Sequence, residues 1–155
     1  MATKLTTHIT LEELTRSATA DRLGLPNWPE ADDLRRLRGT AEMLQRIRDT
    51  LGHPVVVTSA YRSPAVNRAV GGVTSSDHVK GQAADILVPG YGTPYQVAKA
   101  LAPLVSVLGI GQLILEGFKN GKQWVHVSTR IPERPVNRVI TITDAGVQVG
   151  IQELA

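Results

Sequence analysis

At 155 residues the chain suffices for one hydrophobic core and is short for two ordinary domains, so a single domain over 1–155 is expected. The absence of cysteine excludes disulfides and thiolate metal sites, leaving histidine and carboxylate as the ligands for any metal. A net charge of +3 suits an anionic partner, but aromatics are only 4% and no nucleic-acid motif accompanies the charge, which argues against nucleic acid.

The start, Met1 to His8, lacks an apolar stretch, so the expectation is a protein made in the cytoplasm without a secretory signal. No window reaches the apolar length of a membrane span. Thr10 with Glu13 reads as a capping box that opens a short helix. Turn residues follow at Leu25-Pro26-Asn27-Trp28-Pro29. Leu34, Leu37, Ala41, Leu44, Ile47 and Leu51 recur at three- and four-residue intervals before Gly52, which predicts a long amphipathic helix with a glycine stop. Its arginines, Arg35, Arg36, Arg38, Arg46 and Arg48, read as a solvated face.

Pro54 to Tyr61 is compact and β-branched, predicting a buried strand. Pro64 starts a short helix to about Val70, ended by Gly71-Gly72. A loop around His78 leads into a strand over Asp85 to Val88, and a helix from Thr93 to about Leu108 follows. Gln112–Glu116 and Gln123–Ser128 are predicted strands around a glycine-containing turn. Arg138–Thr143 and Val147–Val149 form a last hairpin. Helices and antiparallel hairpins in this order indicate an α+β fold.

The chemistry concentrates in Ser76-Asp77-His78-Val79-Lys80-Gly81-Gln82-Ala83-Ala84-Asp85 and in Trp124-Val125-His126-Val127-Ser128. In the second segment the valines alternate with Trp124, His126 and Ser128, so a core on the valine side turns His126 toward a cleft. Two histidines and an aspartate suit zinc and leave its fourth position open for water, which suggests a metal hydrolase. Taken singly, His78 reads as a polar loop residue, Asp85 as a cap or an arginine partner, and His126 as a half-buried strand histidine. Together, with their flanking residues, they favour a site. Arg62, directly after a strand, is either a surface ion-pair residue or a fork of donors for a substrate carboxylate.

The register of the last two central strands decides where Glu116 points. A two-residue turn at Asn120-Gly121 would pair Glu116 with Val125, away from His126. A three-residue loop with Gly121 left-handed pairs Phe118 with Lys122. Glu116 then lies opposite Trp124 and diagonal to His126, on the same face. We expect the bulged loop.

The ordered segments Thr58-Ser59-Ala60-Tyr61-Arg62-Ser63, Asn67 to Gly71-Gly72, Ser76-Asp77-His78 to Gly81-Gln82-Ala83-Ala84-Asp85-Ile86 and Trp124-Val125-His126-Val127-Ser128 resemble the zinc D-alanyl-D-alanine carboxypeptidase family. That family also holds phage L-alanyl-D-glutamate endopeptidases and shares its fold with the hedgehog signalling domain. Leu11 to Ala20 resembles the start of short phage-type members. The resemblance implies an antiparallel sheet with flanking helices and one zinc ion on His78, Asp85 and His126. It further implies substrate contacts from Arg62 and Ser76. Many relatives carry the catalytic carboxylate three residues before the last ligand, where this chain has Gln123. The hedgehog-type arrangement puts it at the end of the preceding strand, here Glu116, in agreement with the register above. Relatives also carry a histidine where this chain has Trp124.

The expected activity is zinc-dependent hydrolysis of a peptidoglycan stem peptide, by a monomer, with Glu116 as general base. It would act at the cell wall after release from the cell, or be carried on a virion. The alternative is a non-catalytic, zinc-stapled virion or wall-binding module.

Overall fold

The computed structural model describes residues 2–118 and 120–154. Helix α1 (Leu11–Thr15) opens on the Thr10–Glu13 capping box, and α2 (Ala18–Leu23) is capped by Ser17. Helix α3 (Ala31–Leu51) ends at Gly52, whose φ of 70° is left-handed. Strand β1 (Val56–Ser59) leads to α4 (Pro64–Ala69), and β2 (Ala83–Leu87) follows. Helix α5 (Pro94–Leu101) continues through a 3-10 turn, Ala102–Leu104, into α6 (Val105–Leu108). Strands β3 (Gln112–Gly117), β4 (Gln123–Ser128), β5 (Val139–Thr143) and β6 (Gly146–Val149) complete the chain. Among the described residues, no helix is long and apolar enough to cross a membrane.

The six strands form one mostly antiparallel sheet in the order β1-β2-β4-β3-β5-β6, the α+β arrangement expected. Ala84, Ile86, Leu113, Leu115, Val125 and Val127 lie on one face, fully buried. They form a core with Leu37, Ala41, Met43, Leu44 and Ile47 of α3 and with Val97, Ala98 and Leu101 of α5. Each large apolar side chain buried there contributes roughly 1.5–3 kcal/mol. Because strand side chains alternate, burying that face sends Asp85, Ile114, Glu116, Trp124, His126 and Ser128 to the other.

Three expectations about the elements change. Within Pro54 to Tyr61 the strand is β1, at the sheet edge and not buried: Val56 is 45% exposed, and the buried residues are Val55, Ala60 and Tyr61 at its flanks. A run without alternation reads as covered on both faces, but this strand has a neighbour on one side only. The helix from Thr93 breaks at Pro103, which lacks an N–H to continue the ladder. Strand β5 pairs with β3 in parallel, which the hairpin pattern did not indicate. Strand β4 ends beside the start of β3, where Gln112 faces Ser128. The segment 129–138 therefore needs only to step across the end of β3 to begin β5, and β5 then runs alongside β3.

Not all the α3 arginines face solvent alone. Arg36 Nε donates to the Lys80 carbonyl at 2.8 Å and Arg46 Nε to the Leu108 carbonyl at 2.8 Å. Together with Thr40 Oγ1, which donates to the Gly81 carbonyl at 2.7 Å, Arg36 fastens the loop after His78 onto the helix. Gly81 has φ 77°, and a Cβ there would stand 2.8 Å from the Asp33 carbonyl oxygen. Only glycine lets the loop approach α3 this closely.

Candidate metal centre and the cleft beside it

Asp85 on β2 and His126 on β4 are directly opposed across two antiparallel strands, so their side chains rise together from the same face. His78 arrives from the loop before β2. Its Nε2 lies 3.4 Å from Asp85 Oδ1, and His126 Nδ1 lies 3.0 Å from the same oxygen. Tetrahedral zinc, with bonds of about 2.0–2.2 Å, puts its ligand atoms roughly 3.4 Å apart. One ligand atom from each of the three residues falls within 4.8 Å of the others. The donor set and its spacing fit a zinc ion.

The imidazole of His78 is fixed from behind. Its Nδ1 is 2.7 Å from the Ala60 carbonyl oxygen, which requires a proton on Nδ1 and leaves Nε2 free to ligate. Such backing is the usual way a protein sets the tautomer of a metal-binding histidine. The side chains of His78, Asp85 and His126 are 5%, 15% and 13% exposed, so the cluster is largely buried but still within reach of solvent.

Electrostatics follows from this burial. For Asp85, burial favours the neutral acid, but hydrogen bonds from His126 and His78 outweigh it and hold the carboxyl well below its ordinary value. For His126, burial disfavours the charged ring, yet the hydrogen bond and charge of Asp85, with help from Glu116, raise its pKa. Glu116 is pushed up, first by burial and then by the Asp85 charge, while His126 and the Trp124 indole pull the other way.

The β3–β4 register matches the bulged loop. Glu116 faces Trp124, Ile114 faces His126, and Phe118 N donates to the Lys122 carbonyl at 3.2 Å. Gly121 is left-handed at φ 81°. Glu116 is therefore diagonal to His126, about 7–8 Å away at the backbone. Gln123 pairs with Gly117 at the strand end, and Trp124 packs on Phe118 with ring centres 5.5 Å apart. The Trp124 indole nitrogen is buried without a hydrogen-bond partner in good geometry.

Arg62 donates to Ser76 Oγ at 3.2 Å, and the same hydroxyl accepts from the His78 backbone N–H at 3.2 Å. The Arg62 Nε is buried and unpartnered, and burial lowers its pKa against the pull of Asp85 and Glu116. Arg62, Asp85 and Trp124 line a cleft of about 590 Å³. Asn67 shapes the backbone by donating to the Val73 carbonyl at 2.8 Å.

The residue that the sequence reading passed over is Asp77. It is buried, accepts from Ser128 Oγ at 3.0 Å and from Arg130 Nε at 2.6 Å, and so ties the His78 loop to the end of β4. Ser128 lies on the same face as His126, two residues on, which is the one signal that it belonged near the site.

A family model described as Peptidase M15 matches residues 7–128, more than three-quarters of the chain and all of the residues just described except Arg130. No curated protein sequence matches it.

Proposed function

The chain belongs to the peptidase M15 family, a family of zinc metallopeptidases, and from this we propose that it hydrolyses a peptide bond in peptidoglycan stem peptides. The reaction is that of a D-alanyl-D-alanine carboxypeptidase or of an endolysin-type endopeptidase. One observation carries the reading: His78, Asp85 and His126 converge on one point, Asp85 opens onto the cleft beside it, and Glu116 rises from the same sheet face. A structural zinc site is normally closed by four protein ligands, whereas a catalytic one keeps a position free.

Zinc, when bound, supplies Lewis acidity, which polarises a carbonyl and lowers the pKa of water from about 15.7 to about 7. Glu116 is the general base. Burial and the neighbouring Asp85 raise its pKa, the direction that makes a carboxylate a stronger base. It takes a proton from the attacking water and passes it to the leaving amine. Arg62 holds a substrate carboxylate, braced by Ser76, and sets which bond lies over the floor of the cleft. Trp124 stands where the resemblance puts a second imidazole, and its indole N–H is directed at the Glu116 carboxylate, where it orients the base.

Digestion of purified peptidoglycan, followed by mass spectrometry of the muropeptides with and without a chelator, tests the proposal. Release of D-alanine or of new amine ends, abolished by chelator, is expected. A protein that retains zinc but leaves the wall intact would instead be a zinc-stapled binding module.

Zinc affinity should depend on pH in a definite direction. The metal-free fold holds a proton on His126 more tightly than its ordinary value of 6.5, and that proton must leave before the ring can ligate. Apparent affinity should therefore climb with pH through 6.5 and on to the raised value, by up to about tenfold per unit for one released proton. In the same metal-free protein, the His126 contribution to stability is complete below 6.5 and is lost as pH rises through the raised value. Zinc titrations against a competing chelator at several pH values would measure this, and a flat profile would contradict it.

A further inference from the structure

Three cations line the cleft beside the metal centre, Arg16, Arg62 and Lys122. Its one lining carboxylate, Asp85, is already engaged by His78 and His126. Among the described residues, none of the three cations forms an ion pair with a carboxylate, whereas Arg35, Arg36 and Arg130 each do. The surplus charge therefore faces the space that a substrate occupies, and it selects for anions.

Arg62 accounts for one substrate carboxylate. Arg16 sits where the cleft meets a second depression whose lining includes two acids, Glu12 and Asp21, so its charge is shared between two surfaces. Lys122 stands apart from both. It ends the β3–β4 turn directly before β4, fixed in the backbone by the Phe118 N–H donating to its carbonyl and by Asn120 Oδ1 accepting from its own N–H at 2.9 Å. Two strand positions on, Trp124 lines the same cleft. The turn geometry that sets the register of Glu116 thus also places Lys122 at the rim of the cleft.

We propose that Lys122 is a specificity-determining residue that receives a second carboxylate, so that the preferred substrate is a stem peptide with two free acids. One carboxylate goes to Arg62 and the other to Lys122. This deepens the peptidase reading and rests on it. A stem whose internal α-carboxyl has been converted to a carboxamide would be bound less well.

The test uses zinc-loaded Glu116→Gln protein, in which turnover is blocked, and two pentapeptides measured by calorimetry. One is L-Ala-γ-D-Glu-L-Lys-D-Ala-D-Ala. The other is identical but carries a carboxamide in place of the D-glutamate α-carboxyl. The free acid should bind about fivefold more tightly, the upper range for an exposed ion pair, and the difference should shrink as salt is raised. Adding Lys122→Gln should erase the difference, and Lys122→Arg should keep it. Equal binding of the two peptides, or a preference that survives Lys122→Gln, overturns the proposal, as does failure of both to bind. Loss of the peptidase reading shows separately, as native zinc-loaded protein that binds the free acid selectively yet cleaves neither peptide nor wall.

Discussion

Glu116→Gln should bind zinc within a few-fold of the native affinity and hydrolyse peptidoglycan about 10²–10⁴-fold more slowly, the usual contribution of a positioned general base. The amide keeps the size and planarity of the carboxylate, so the Glu116–Trp124 pairing and the bulged turn have no reason to move. It cannot take up a proton, so water is no longer activated and the leaving amine goes unprotonated. Zinc is spared because Glu116 is not one of the three clustered ligands. The lost charge also removes one of the influences that hold a proton on His126, which slightly eases metal entry. Zinc content by equilibrium dialysis and muropeptide release, measured on the same preparation, separate the two effects. Turnover within tenfold of native would remove Glu116 from the mechanism.

The second large effect is expected at Asp85. Asp85→Asn preserves shape and the β2–β4 pairing with His126, but it removes the only negative charge among the three ligands. Loss of an outer partner of a ligand costs roughly 10–100-fold in metal affinity, and loss of the anionic ligand itself should cost more. Turnover should disappear with the metal. The metal-free variant carries a further signature. In the native fold the Asp85 carboxyl is held well below its ordinary value of 3.8, so its contribution to stability is present above that value and declines as pH falls toward the depressed one. Asp85→Asn should lack this contribution to acid sensitivity, which urea titrations between about pH 5 and pH 2 would reveal. Native-like zinc affinity in the variant would mean that Asp85 is not a ligand.

Much of this site could be read from residue order because local rules set it. The alternation of Val125 and Val127 with Trp124 and His126 fixes which side of β4 faces the cleft. The spacing from Phe118 through Gly121 to Lys122 fixes the turn, and with it the partner of Glu116. Contacts that depend on long-range placement were not legible. That β1 lies at an edge, that β5 runs parallel to β3, and that Arg36 reaches the carbonyl of Lys80 all follow from how the sheet and α3 meet. None of them leaves a periodic trace. Pro103 did offer a signal for the broken helix, since an imide cannot donate to the preceding turn. Asp77 reads as one more polar loop residue until Arg130 and Ser128, more than fifty positions away, are brought beside it.

That clasp bears on how the protein responds to its ion. Asp77 joins the two chain segments that deliver the imidazoles, and Thr129 N–H donates to the Gln82 carbonyl at 2.9 Å along the same seam. In small zinc fingers the ion must organise a floppy chain, so most of its grip is consumed as folding energy. Here ordinary peptide and carboxylate contacts already bring the three candidate ligands together, so an ion bound there would not have to organise the fold. Stripping the metal should then silence the protein without melting it, and returning the metal should restore activity at the pace of ion entry rather than of refolding.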